Sequence, residues 1–435
     1  MAASTSTNIE TNPLRWTWQR WHFLLFLVGL LLRLGFCLLV NKETAIGEGD
    51  GKEFFGYAQS LLALQGDNYP RFFTSIRPPF YPIFLMPFVA VNDQIVWHIQ
   101  LAQSLIGCFQ AFVLAKIAGR WCGQRAGNWA FVLALLHPFL IYYCAYVLTE
   151  TLFIALLWSG IACLQRLDEP PLKNPGRWLI LGGIALGLAC LTRPTLQPFL
   201  VVAVFWLGWR MWRIGGWTTA LKRMAYFTGV VSLLLLPFMI RNLRVHGDFS
   251  LAPGGGPAMY AMSNSPDYLR MYEAKTKEEY YEVFGRLVIH YSVKGETPVE
   301  VYLEEARDFR QNHSADWWRL QWYKFKHFWT PWLNPLIFPR SLYLLSLVAT
   351  TPLFLLAAIE LWRRRRKMSD PFLVLLLGLV AVGYIVGGFL FHVQVRYRIP
   401  FIDVAFLLLT ASFLGHFSFG KLMAWRRPQL SEEAA

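Results

Sequence analysis

Apolar runs of membrane length alternate with short polar segments along the chain. The pattern predicts ten transmembrane helices, each close to the roughly 20 residues that cross a bilayer core, with shorter or tilted members allowed. They fall at Trp21–Val40, Trp97–Gly119, Asn128–Tyr143, Thr149–Leu167, Trp178–Leu191, Gln197–Trp212, Met224–Ile240, Leu342–Trp362, Pro371–Phe391 and Ile399–Phe419. The expected fold is an all-α polytopic membrane protein with interfacial helices in two large loops, 41–96 and 241–340. The chain divides into a cytoplasmic tail (1–20), an N-terminal transmembrane module (21–240) that includes the outer loop 41–96, an extracytoplasmic loop (241–340), C-terminal transmembrane helices (341–420) and a second cytoplasmic tail (421–435). The first apolar stretch has full membrane length and no small-x-small site follows it, so it is expected to stay as an anchor rather than be cleaved as a signal peptide.

Orientation follows from the short basic loops, because Lys and Arg near span ends stay in the cytoplasm. Arg15 and Arg20, Arg120 and Arg125, Lys173 and Arg177, Arg213 with Lys222 and Arg223, Arg363 to Lys367, and Lys421 with Arg426 and Arg427 all fall on one side of ten alternating spans. Both termini are then cytoplasmic, in a plasma (inner) membrane, and the two large loops face outward.

Composition supports a bilayer as solvent: of 435 residues 55% are hydrophobic and 16% charged, against roughly 25% charged in soluble domains. The net charge of +14 does not indicate nucleic acid, since the Lys and Arg sit in short clusters between apolar stretches. The six cysteines lie in or beside apolar spans without paired spacing, which argues for neither a disulfide framework nor a structural metal. A second set of cations, Lys42, Lys52, Arg71, Arg77, Arg193, Arg241, Arg244, Arg396 and Arg398, falls on the outer side, where topology does not require them. Contact with lipid headgroups would explain any one of them; recurrence at four span ends points to a bound anion.

The segment from Val299 to Trp332 reads as one long helix leading into the eighth span. Trp318, Trp322, Phe325 and Trp329 lie on one side, with Arg319, Lys324 and Lys326 elsewhere. Such tryptophans suit an aromatic belt at the membrane interface better than a sugar-binding platform.

Candidate chemistry gathers at the outer span ends. Asp50, Phe54, Tyr57, Ala58 and Leu61 recur with helical spacing just outside the first span, so Asp50 would head a short helix along the membrane. Asp50 followed by Glu53 makes an acceptable capping box. Gly49 and Gly51 flank the carboxylate and would let backbone and ligand approach closely, and a carboxylate so placed can accept a proton from an attacking hydroxyl. Then come Arg77-Pro-Pro-Phe-Tyr81-Pro, Thr149-Glu150, Arg193-Pro194, Arg241-Asn242 with Gly247, and Arg396-Tyr-Arg398-Ile-Pro400. Glu150 at a span end could equally be a solvated carboxylate. Glu48 with Asp50 is a thin set of ligands for a divalent cation, which favours metal-independent chemistry with no cofactor.

In this order the motifs, with an Asp-x-x-x-aromatic-x-x-x-Ala pattern at Asp50, Phe54 and Ala58 ending in Gly66-x-x-Tyr69, resemble those of the GT-C glycosyltransferases of the dolichyl-phosphate-mannose-protein mannosyltransferase type. The resemblance runs from near Arg33 to Pro400. It implies a membrane-embedded transferase using a polyprenyl-phosphate sugar donor, with Asp50 as catalytic base and Arg241, Arg396, Arg398 and Arg193 holding the donor phosphate. Glu48, Glu53, Arg77, Tyr81, Glu150 and Asn242 are further site candidates. Nucleotide sugars are not available outside, and a lipid-phosphate leaving group needs fixed cations where charge develops. The acceptor is left open among glycan, lipid and protein. A transporter or flippase of a lipid-linked glycan would also want outer cations and many spans, but no internal repeat is evident; a glycan polymerase or ligase of another membrane fold would share the lipid-phosphate substrate.

The topology predicts that an outside reagent labels a cysteine placed near Asn264. Labelling near Arg365 from outside in intact cells would overturn it.

Overall fold

The computed structural model describes residues 16–47, 50–63, 77–90, 95–168, 174–253, 255–292, 299–366 and 369–416. Glu48, Gly49, the Gly66-x-x-Tyr69 motif and both chain ends before 16 and after 416 lie outside them. Within the described residues the fold is helical and contains no strand. The predicted apolar stretches fall on helices, but the count of ten is not confirmed. Seven helices are long and apolar enough to cross a membrane: Arg20–Leu38, Val96–Cys122, Pro175–Thr192, Pro194–His246, Arg340–Arg364, Pro371–Leu390 and Val395–His416.

Three departures account for the difference. The Glu150–Gln165 helix is apolar but only 16 residues long. The stretch Asn128–Tyr143 is divided at His137 into Gln124–Leu136 and Pro138–Tyr142, as expected where proline removes a helical donor and its predecessor is pushed out of the helical region. The sixth and seventh predicted spans form one helical run, Gln197–His246, interrupted at Gly216 (φ 75°, ψ −178°), a conformation open to glycine and closed to other residues. That residue folds the run back on itself: a Cβ at Gly208 would lie 2.3 Å from Met224 Sδ, although in a straight helix those residues would stand about 24 Å apart.

Helix packing encloses one large apolar core, and a layer of polar contacts closes each end. At one end Arg364 pairs with Glu360 (2.6 Å) and Asp370 (3.2 Å) and donates to Ser412 Oγ (2.8 Å), Trp121 Nε1 donates to Asp370 (2.7 Å), and Trp16 Nε1 donates to Asn128 (2.8 Å). The opposite end carries the candidate chemistry.

The loop after His246 forms a small layer of its own from helices Gly255–Ser263, Pro266–Glu273, Lys277–Ser292, Val299–Asn312 and Ser314–Trp329, packed around Tyr268, Leu287, Phe309, Trp317 and Leu320. The helix expected to run unbroken from Val299 to Trp332 is divided at His313 and stops at Trp329. Trp318 and Trp322 are exposed as the stripe implied, whereas Lys324 is fully buried. Asn264 is also buried, at 2% exposure, so the exposed Glu278 is the better labelling position in this loop. The Arg396 turn lies between two π-helical stretches, Ile385–Leu390 and Ile399–Asp403, a form of helix frequent at functional sites.

Candidate active site

Six of the residues picked out in the sequence meet as an alternating row of charges. Arg77 donates to Glu53 through Nε (2.7 Å) and to Asp50 Oδ1 through Nη2 (2.5 Å). The other oxygen of Asp50 pairs with Arg396 Nη2. Arg396 Nε stands 3.2 Å from Glu150 Oε1, and the same oxygen takes Arg193 Nη1 at 3.0 Å. The order Glu53, Arg77, Asp50, Arg396, Glu150, Arg193 gives every carboxylate a guanidinium neighbour and joins five separate parts of the chain.

Helix ends set these positions. Asp50 and Glu53 lie in the first turn of the Asp50–Leu62 helix, and Glu150 opens the Glu150–Gln165 helix; both placements put negative charge against free N–H groups and the positive end of the helix dipole. Arg193 is the C-cap of the Pro175–Thr192 helix, where a cation is favoured. Aromatic faces cover the guanidinium groups: Arg77 lies 5.0 Å from the Phe54 centroid, and Arg193 and Arg396 lie 4.8 and 5.3 Å from that of Tyr397.

Burial alone would push the Asp50 carboxyl up, but the guanidinium groups of Arg396 and Arg77 outweigh it and hold Asp50 well below the usual carboxylate range. In this arrangement Asp50 is firmly ionised and a weak proton acceptor. Its role as a cap is secondary, since both oxygens are spent on arginines. Gly51 has a different purpose from the one its sequence position suggested: a Cβ there would lie 2.1 Å from the Ile46 carbonyl oxygen and 3.0 Å from that of Val147. Its smallness serves the packing of one backbone on another beneath Asp50.

The other candidates are placed differently. Tyr81 is fully buried, donates to Gln103 Oε1 at 2.9 Å and meets Phe54 edge-on at 5.0 Å, supporting the Asp50 helix from below. Arg241 Nη1 donates to Asn242 Oδ1 (3.0 Å), and Asn242 Nδ2 donates to the Ser250 carbonyl (2.8 Å); these contacts do not tie the pair to the row of six. Arg398 is 1% exposed and bonds Asp403 (2.7 and 3.2 Å) and the carbonyls of Phe328, Thr330 and Pro331. Tyr397 and Gln103 were missed in the sequence; Tyr397 stands inside the Arg396-Tyr-Arg398 motif, while nothing in the sequence marks Gln103 from other polar residues of its helix. Among the described residues no three His, Cys, Asp or Glu side chains converge as metal ligands.

A cavity of about 980 Å³ opens beside the row. Its walls are mostly apolar and aromatic, including Tyr142, Tyr146, Phe328, Trp332, Leu333 and Leu345, and the cations Lys326, Arg396 and Arg398 reach its surface. Arg396 therefore belongs to both the cavity and the row of charges.

Comparison with known proteins bears on what such a site does. Residues 76–240 match the dolichyl-phosphate-mannose-protein mannosyltransferase family. The mannosyltransferase-like segment includes Arg77, Tyr81, Glu150 and Arg193, and stops short of Arg241. No curated protein matches the sequence significantly. Among solved structures, the oligosaccharyltransferase of Archaeoglobus fulgidus in complex with an inhibitory peptide and a dolichol-phosphate is 13% identical with a TM-score of 0.52, the match covering 94% of this chain and 51% of that one. Its apo form gives 11% identity and a TM-score of 0.50, over 90% of this chain and 50% of that one. The chain thus shares the GT-C fold and spans about half the length of that enzyme. The protein is a membrane protein whose segment 76–240 is mannosyltransferase-like in sequence and whose fold is like that of the oligosaccharyltransferase.

If Gly51 serves backbone packing, Gly51→Ala is expected to destabilise the protein by about 1–3 kcal/mol, the usual range for overpacking, read as an earlier thermal transition in detergent. An unchanged transition would show that the Asp50 helix has room to shift.

Proposed function

We propose that this protein is a glycosyltransferase that moves a sugar from a polyprenyl-phosphate donor to an acceptor hydroxyl by inverting displacement. The observation that carries the reading is the double position of Arg396, at the surface of a lipid-sized apolar cavity and in contact with the Asp50 carboxylate. A donor with its isoprenoid chain in the cavity would bring its phosphate to a guanidinium fork, the group best matched to phosphate oxygens.

The chemistry follows from charge balance. The acceptor hydroxyl gives its proton to Asp50, its oxygen bonds the anomeric carbon, and the bond from that carbon to the phosphate oxygen breaks, leaving the electron pair on the departing polyprenyl phosphate. Arg396 stabilises that charge, while Glu150 and Arg193 orient Arg396 from behind. In the ligand-free row Asp50 is too weak a base to do this well. A donor phosphate that competes for Arg396 removes one of the two guanidinium groups acting on Asp50 and returns basicity to it when substrate is present. Arg241 and Asn242, near the end of the Gln197–His246 helix, are further donor-binding residues in this reading. Arg398, with its donors committed to Asp403 and three carbonyls, is a positioning residue in this account.

Orientation and acceptor belong to the same proposal. The basic loops support cytoplasmic termini and an extracytoplasmic site in the plasma membrane, and the division of the chain at 21–240, 241–340 and 341–420 supports a catalytic module with an outer loop laid over it. A peptide and a dolichol-phosphate bind the solved oligosaccharyltransferase. For this chain the acceptor is a hydroxyl on glycan, lipid or protein.

Purified Asp50→Asn protein is expected to lose about 10²–10⁴-fold in transfer of labelled sugar from a polyprenyl-phosphate donor while remaining folded, because Arg77 keeps Glu53 and Arg396 keeps Glu150. Arg396→Lys should also be impaired despite its retained charge. Near-normal transfer by Asp50→Asn would move the search for the base to Glu53 or Glu150, and near-normal transfer by Arg396→Lys would remove the phosphate fork from the mechanism.

A further inference from the structure

The turn that carries Arg396 is held from outside the membrane core by three residues that no family motif marks. Lys324 Nζ donates to the Phe389 carbonyl at 2.5 Å and to that of Ser263 at 3.4 Å. Asn264 Nδ2 donates to the Leu390 carbonyl at 3.0 Å, and its Oδ1 accepts from Gln321 at 3.0 Å. Tyr268 Oη accepts the Val393 backbone N–H at 3.1 Å. Phe389 and Leu390 end the helix that begins at Pro371, so their carbonyls are among those a helix end leaves without partners, at the negative end of its dipole. Lys324 and Asn264 supply the missing donors from another part of the chain.

The capping is reciprocal. Lys324 belongs to the Ser314–Trp329 helix, and the C-terminal carbonyls of that helix, at Phe328 and just beyond at Thr330 and Pro331, are taken by Arg398. Lys324 thus closes the end of the Pro371–Leu390 helix, and Arg398, from the short Val395–Arg398 turn that follows it, closes the end of Lys324's own helix, so that Arg396 lies between the two points of attachment. Lys324 is fully buried, and its described partners are both neutral carbonyls; burial pushes its ammonium down to about 7. An apolar side chain would fill the same space without that desolvation penalty, so the lysine is better explained by what it fixes than by stability.

We infer that Lys324, Asn264 and Tyr268 are positioning residues that set Arg396 for the donor phosphate, making the loop 241–340 part of the donor site rather than a cover over it. The inference rests on the reading of Arg396 as the phosphate ligand. It assigns a role in catalysis to a loop whose helices otherwise look like interfacial packing, and it makes donor affinity depend on residues that do not touch donor.

The test uses the full chain in lipid nanodiscs. Tyr268→Phe removes one hydroxyl and keeps the ring; Asn264→Asp removes the amide donor; Lys324→Met removes the ammonium, with Lys324→Arg as the conservative partner. Each of the first three is expected to speed hydrogen exchange of the 389–398 backbone and to raise donor KM by roughly tenfold, the equivalent of about 1.4 kcal/mol, with acceptor KM unchanged; Lys324→Arg should recover part of the loss. Arg363→Gln, which removes the 2.7 Å pair of Arg363 with Glu360 in the polar layer at the opposite end, should lower thermal stability without moving donor KM. If Lys324→Met does not fold, Tyr268→Phe and Asn264→Asp still decide the matter. Wild-type exchange and wild-type donor KM in both overturn the inference, as does faster exchange with donor KM unmoved. A wild-type protein that transfers nothing from a polyprenyl phosphate overturns the functional reading instead, and the exchange data then still report whether the three residues hold the turn.

Discussion

The arrangement depends on the pair between Asp50 and Arg396, residues from opposite ends of the chain that meet where helix ends converge. An isolated carboxylate or guanidinium in a site walled by apolar side chains would be strongly penalised. The row of six avoids this by alternation, so that each charge is neutralised by its neighbours and any one partner can be exchanged for a ligand of the same sign without leaving a bare charge. In the proposed mechanism a phosphate replaces a carboxylate at Arg396, whereas Arg398, although it also lines the cavity, makes five hydrogen bonds internal to the fold.

Two polar layers separated by an apolar interior then have different purposes. The layer around Glu360, Arg364, Asp370 and Ser412 is closed upon itself and stitches three helix ends together. The layer around Asp50 opens onto a cavity and is held by three separate parts of the chain: the Asp50 helix, the Arg396 turn between its π stretches, and the loop layer joined to that turn through Lys324 and Arg398. On the proposed function such a site would gain precision from contacts well outside the chemistry, because an error of an ångström in the guanidinium would forfeit the fork geometry that phosphate recognition needs.

Much of this was legible in the sequence. Apolar runs located the helices because bilayer and protein interior both demand apolar side chains over the length of a span. The three arginines could be picked out because topology did not call for cations on the outer side, and the three carboxylates because of the helical spacing and capping box at Asp50 and Glu53 and the span-end position of Glu150. The count of spans was not legible: His137-Pro138 broke one stretch, and a single glycine at position 216 bent one helical run rather than ending it. Lys324 was misplaced for a specific reason. Two aromatic stripes run along its helix one residue apart, Trp317, Leu320 and Phe328 on one and Trp318, Trp322 and Phe325 on the other. In a chain whose surface is itself apolar, residue type does not tell which stripe faces inward. The spacing 317, 321, 324 and 328 fits the buried stripe once the fold is known. The pairings among carboxylates and arginines are long-range and left no local trace.

The most direct measurement is a structure of the full-length protein in nanodiscs with a polyprenyl phosphate bound. The account predicts the phosphate on the Arg396 guanidinium, the isoprenoid chain in the cavity beside Tyr142 and Trp332, and Asp50 released from Arg396 while still paired with Arg77. A phosphate bound elsewhere, with the Asp50 to Arg396 pair intact, would contradict it.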